Sequence, residues 1–71
     1  MALFLRAFEE PEGTWTCRQG RQVLDAHPAL HEAVTHLREL AEALEGPVLL
    51  IAHRLDGRIE HVAELDGQGP E

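Results

Sequence analysis

Five histidines and a single cysteine are the side chains of this 71-residue chain with the widest capacity for chemistry. His27 and His31 are four residues apart, a spacing that on a helix would offer two imidazoles to one transition metal. His27, however, precedes Pro28 and reads as a cap. No carboxylate or thiol completes a set of three or four ligands at motif spacing, and His36, five residues beyond His31, points to another side. No metal and no cofactor are expected. Cys17 lies in an alternating segment that suits a small buried hydrophobe, and no partner base stands near it. Serine is absent, so there is no hydroxyl nucleophile of that type.

The acids are numerous but scattered. Glu32, Glu39, Glu42 and Glu45 fall on the polar side of a helical pattern, where they solubilise a surface. The glycines at 13, 20, 46 and 57 mark turns and a helix end, not a phosphate loop. No catalytic residue stands out, and the chain reads as a non-enzyme. Thirteen acidic against six basic residues give a formal charge of −7, which repels a phosphate backbone unless the arginines gather on one face. Arg18 and Arg21 flank one turn and Arg54 and Arg58 another at the opposite end of the sheet, so nucleic acid is not an expected partner. Lys, Asn, Ser and Tyr are absent, a composition that suits a GC-rich, thermophilic source. The apolar start, Ala2 to Leu5, is too short for a signal-peptide core or a membrane span. A cytoplasmic location with no membrane association is expected.

The elements that must position these residues follow from periodicity. Ala2 to Glu9 alternates as a strand, with Leu3, Leu5 and Ala7 on one face and Phe4, Arg6 and Phe8 on the other. Thr14 to Arg18 alternates again, Gln19-Gly20 supplies a hairpin turn, and Arg21 to Asp25 forms a short third strand. Asp25 and His27 are the candidate caps of a helix that Pro28 opens. Leu30, Ala33, Val34, Leu37, Leu40, Ala41 and Leu44 line its apolar side, and Gly46 and Pro47 stop it. Val48 to Leu55 is apolar on both faces, and Asp56-Gly57 turns it back into Arg58 to Leu65. Residues 1–65 thus form a single domain, and 66–71 read as a flexible C-terminal tail.

The fold class is α+β, β-β-β-α-β-β, with one mixed five-stranded sheet and a single helix on one face. Right-handed crossover sets the fourth strand beside the first, giving the order 3-2-1-4-5. A two-residue turn at Asp56-Gly57 sorts Val48, Leu50, Ala52, Ile59, His61, Ala63 and Leu65 under the helix. His53 and His61 then take opposite faces, and His53 lies across from Glu60 as the one cross-strand pair suggestive of a small ligand site. The other face carries Leu49, Ile51, His53, Leu55 and Val62, with Arg58, Glu60 and Glu64 beside them and nothing to cover them. That set is the expected interaction face. A homo-oligomer, preferably a dimer, or a complex with another protein through this face or an edge strand is the expected assembly.

The run GTWTCRQG, the helical HEAV and LRELAEAL, and VLLIAHRLDGRIEH resemble a small uncharacterised bacterial family, a domain of unknown function. The matching positions are Trp15, Glu32, Ala33, Asp56, Gly57 and Ile59, within about residues 13–65. The resemblance implies a fold and no activity. The architecture is also similar to that of HicB-type antitoxins, a reduced ribonuclease H sheet. Ribonuclease H chemistry needs acids on the first and fourth strands to hold divalent metal, and here only Glu9 and Asp56, at their ends, are acidic. The leading expectation is a protein–protein interaction module acting as a small oligomer. The alternative is an antitoxin-like or regulatory domain that neutralises a partner protein.

Overall fold

The computed structural model describes residues 3–69. Its elements run β1 (Leu3–Glu9), β2 (Trp15–Gln19), β3 (Gln22–His27), α1 (Leu30–Ala43), β4 (Glu45–His53) and β5 (Ile59–Gln68). They form one five-stranded sheet in the order β3-β2-β1-β4-β5, as expected. β1 and β4 pair in parallel at the centre, with Leu5 beside Leu50 and Ala7 beside Ala52, and every other pairing is antiparallel.

Alternation in the central strands drives one set of side chains beneath the helix. Leu5, Ala7, Trp15, Cys17, Val48, Leu50 and Ala52 are buried from the sheet side, and Ala33, Leu37 and Ala41 from the helix. Two of those three helical positions are alanine, so α1 approaches the sheet closely, while Leu30, Val34, Leu40 and Leu44 pack around the contact. No polar or charged residue is buried among the described residues.

The helix begins and ends differently from the sequence expectation. Ala29, in extended conformation and with no side-chain cap bond, is the N-cap. Asp25 and His27 belong to β3 instead, paired with Cys17 and Trp15 of β2 before the helix begins. Glu45, Gly46 and Pro47 lie inside β4 and not in a stop signal, the chain turning directly from the C-cap Leu44 into the strand. The tail is corrected as well. Asp66, Gly67 and Gln68 extend β5 by pairing with Pro47, Gly46 and Glu45, and the Gly69 N–H donates to the Leu44 carbonyl at 3.2 Å. Backbone hydrogen bonding, which needs no apolar side chain, holds this segment. Residues 70 and 71 lie outside the described residues.

Two edge-strand irregularities decide which side chains face which way. In the last hairpin the Arg54 N–H donates to the Arg58 carbonyl at 2.8 Å, so the loop has three residues, Leu55, Asp56 and Gly57, with Gly57 at φ +91°. That is one residue more than the expected turn, and one residue of slip reverses every following side chain. Ile59 now lies across from His53, Glu60 from Ala52 and His61 from Ile51. A bulge at Val62, between the Ile51–His61 and Leu50–Ala63 pairs, then restores the expected faces for Ala63 and Leu65. The second bulge, at Leu24, sets Asp25 opposite Cys17 and His27 opposite Trp15 on the helix side.

Candidate functional site

The helix covers one face of the sheet and leaves the other open. Across that open face run Ala26, Thr16, Phe8, His53 and Ile59 in one row, and Val23, Arg18, Arg6, Ile51 and His61 in the next. Phe4, Leu49 and Glu64 form a third. Phe4 is 44% exposed and Ile59 64%, large values for such residues in so small a chain. No described helix is long and apolar enough to cross a membrane.

Of the expected interaction residues, Leu49, Ile51 and His53 stand on the open face. Leu55 occupies the exposed three-residue turn. Val62, at its bulge, packs against the core under the helix and is not part of the face. Glu60 and Arg58 also leave the set. Glu60 accepts bonds from Arg54 at 2.8 and 3.3 Å, and Arg54 in turn lies over Trp15, 5.3 Å from the ring centre. The expected pairing of His53 with Glu60 is therefore absent, and His53 and His61 share a face instead of opposing one another. The extra turn residue causes both changes.

Arg6 and Arg18 form a pair that the sequence reading did not assemble. They are direct cross-strand neighbours on β1 and β2, so part of the basic charge does converge. Like charges so placed repel. Each is stabilised by an aromatic face, Arg6 at 5.5 Å from the centre of Phe4 and Arg18 at 4.8 Å from that of Phe8. Neither makes an ion pair among the described residues. The Arg18 Nε is buried and has no hydrogen-bond partner there. Period-two alternation of Arg6 with Phe4 and Phe8 was the signal for this cluster, once β1 and β2 are paired.

His53 completes the centre of the face. Its ring stacks on Phe8 with centroids 4.3 Å apart and planes 9° from parallel. Arg6 Nη1 donates to His53 Nε2 at 2.8 Å, which requires an unprotonated Nε2 and so the Nδ1–H tautomer of a neutral ring. Desolvation first, and the Arg6 charge second, hold the His53 pKa below 6.5. In the unfolded chain the imidazole takes up a proton more readily, so this site's contribution to stability is complete above about pH 6.5 and declines as the pH falls below it. NMR titration of the His53 ring is expected to give a pKa below 6.5, and Arg6→Gln should recover only part of the shift, because desolvation is the larger cause. An unshifted His53 would contradict the stacked, arginine-bonded geometry.

A second group of polar side chains lies on the helix side, at the β2–β3 edge. Asp25 Oδ1 is 3.1 Å from His27 Nε2, Asp25 Oδ2 is 2.6 Å from His36 Nδ1, and the two ring nitrogens are 3.2 Å apart. Cys17 lies beneath them, fully buried, its thiol 3.8 Å from the Ala33 carbonyl oxygen. Burial, and after it the charge and hydrogen bonding of Asp25, push the Cys17 pKa up to about 12. The bulge at Leu24 creates this grouping, and the reading of Asp25 and His27 as helix caps concealed it.

The chain matches no protein-family model, no curated protein and no solved structure. Its functional reading therefore rests on geometry alone. On the open face that geometry is a set of flat, partly exposed apolar and aromatic groups around two arginines that have no carboxylate partner among the described residues. It can form a packed contact with another surface. It holds no acid positioned beside a nucleophile.

Proposed function

We propose that this chain is a non-enzymatic, cytoplasmic interaction module that works as a homodimer joined through the open sheet face. The single observation that carries the reading is the uncovered patch of Phe4, Leu49, Ile51, Phe8 and Ile59 around Arg6 and Arg18. One helix covers one face only, and a chain of this size gains substantially from burying a second.

The face is favoured over the edges because both edge strands are bulged, β3 at Leu24 and β5 at Val62, and bulges impair strand-to-strand addition. A second copy also suits the charges. Two sheets packed face to face about a two-fold axis parallel to the strands, between β1 and β4, set β2 of each copy over β5 of the other. Arg18 on β2 then lies over His61 on β5 of the second copy, and the exposed Glu64 stands in the adjacent row, an acid the arginine reaches by turning away from Phe8.

Light scattering coupled to size-exclusion chromatography tests the assembly. A dimer is expected at micromolar concentration. Ile59→Glu, at a position exposed enough to leave the fold intact, should weaken the dimer at least tenfold, about 1.4 kcal/mol. Arg18→Glu should dissociate it, and Glu64→Arg in the same chain should restore it. A strictly monomeric wild-type protein overturns the proposal, and so does a dimer indifferent to Ile59→Glu and Arg18→Glu.

A further inference from the structure

The geometry points to a four-ligand site for a zinc-type divalent cation, formed by Cys17, Asp25, His27 and His36. The ligand atoms of these four side chains all lie within 4.8 Å of one another, and they come from three elements, β2, β3 and α1. Zinc bonds of about 2.0–2.1 Å to nitrogen and about 2.3 Å to sulfur set neighbouring donors of this tetrahedral centre about 3.3–3.6 Å apart. The separations of 3.1 and 3.2 Å at His27 Nε2 are close to that edge. The remaining donors need movements of about an ångström or less to reach it.

Hydrogen bonding alone serves this arrangement poorly. His27 Nε2 is within bonding distance of both Asp25 and His36 Nδ1, and His36 Nδ1 is within bonding distance of both Asp25 and His27 Nε2. If both nitrogens are protonated toward Asp25, two N–H groups face each other. If only one is, the other nitrogen directs a lone pair at the carboxylate. A cation among them replaces those protons and satisfies both nitrogens and the carboxylate together.

The donor set also selects the metal. One thiolate, two imidazoles and one carboxylate are characteristic of zinc and its tetrahedral analogue cobalt(II), and a sulfur donor disfavours calcium and magnesium. On binding, the Cys17 thiol releases its proton to solvent as the sulfur–metal bond forms. The thiolate and Asp25 then balance the two positive charges, leaving a neutral centre suited to a half-buried position. Four protein ligands close the coordination sphere, so the metal is structural. It ties the β2–β3 hairpin to α1 in a domain too small to rely on its core alone.

The test uses the full chain without a histidine tag, stripped by chelator under reducing conditions and titrated with cobalt(II). Saturable binding of one ion per chain is expected, with the intense visible bands of a four-coordinate centre and a thiolate-to-cobalt charge-transfer band, both removed by added zinc. Asp25→Asn and His36→Gln, at half-buried positions that do not enter the core, should each weaken binding at least tenfold. Cys17→Ala should abolish the charge-transfer band; should that core variant fail to fold, the wild-type band and His36→Gln decide alone. Zinc should raise the unfolding temperature of the wild type and leave that of His36→Gln nearly unchanged. Absence of saturable binding overturns the site. So does binding without the thiolate band, or binding unaffected by His36→Gln, since either places the metal on surface groups such as His31 and Glu39.

Discussion

Leu50→Ala is expected to remove about 3 kcal/mol of stability, among the larger losses available from a single truncation in this chain. Leu50 is fully buried at the centre of β4, paired with Leu5 on one side and Ala63 on the other, directly under the helix. The space it leaves is filled only in part. Ala7, Ala52, Ala33 and Ala41 of the same core have no longer side chain to swing inward, so any collapse falls to Leu5, Val48 and Leu37. The cost therefore combines lost burial with a cavity that persists. A domain of this length has a total stability of roughly 4–10 kcal/mol, so the variant keeps only part of it. Thermal unfolding followed by circular dichroism should show a midpoint lowered by roughly 12–24 °C. A shift of only a few degrees would mean that the helix settles into the void and that the packing is looser than the contacts imply.

Gly67→Ala is expected to be the most damaging change outside the core, at about 2 kcal/mol, through overpacking and not through backbone strain. A Cβ at Gly67 would overlap the Leu44 and Ala41 carbonyl oxygens at the end of α1. Both obstacles are main chain, so no rotamer change relieves them. The strand must move away from the helix, and the Gly69 N–H bond to the Leu44 carbonyl goes with it. Gly46→Ala is the instructive comparison. Gly46 pairs with Gly67 across the strands and has φ +90°, yet its Cβ position meets nothing within 4 Å. There the cost is conformational alone, about 1–2 kcal/mol. Hydrogen exchange should separate the two mechanisms. Gly67→Ala should lose protection selectively from Leu65 to Gly69 and at the end of α1, whereas Gly46→Ala should lower stability with less local opening. Equal and uniform effects would argue against a close approach of β5 to the helix.

The open face and the metal-ligating cluster are separate in space, on opposite sides of the sheet, and their tests are independent. Loss of zinc binding in His36→Gln should leave the Arg18–Glu64 charge reversal fully effective on the dimer. Conversely, the Ile59→Glu monomer should still bind cobalt. Each surface thus serves as the control for the other.

Much of the architecture was legible in the chain because it depends on patterns that repeat over several residues. Two-faced hydrophobicity in Leu3–Phe8 and Val48–Leu55 marked the central strands, and hence the order 3-2-1-4-5. The three- and four-residue spacing from Leu30 to Leu44 marked the helix and its buried side. Leu49, Ile51 and His53 fall on the open face by the same alternation, because the opposite set of β4 with its hairpin partners is the more apolar one. Single-residue events were not legible. The third residue of the Leu55–Gly57 turn and the bulges at Val62 and Leu24 leave no periodic trace, because alternation on either side of a bulge looks the same and only its phase changes. Those phases decide that Ile59 and His61 join the open face, that Val62 leaves it, and that Asp25 and His27 turn toward Cys17. His36 reaches the same place from a helix nine residues on, a contact no spacing rule anticipates. Composition and periodicity by themselves determined the strand order, the helix and the core, since burial acts on averages over whole elements. Register and convergence were decided only in three dimensions, where one extra backbone unit moves a side chain from one face of the sheet to the other.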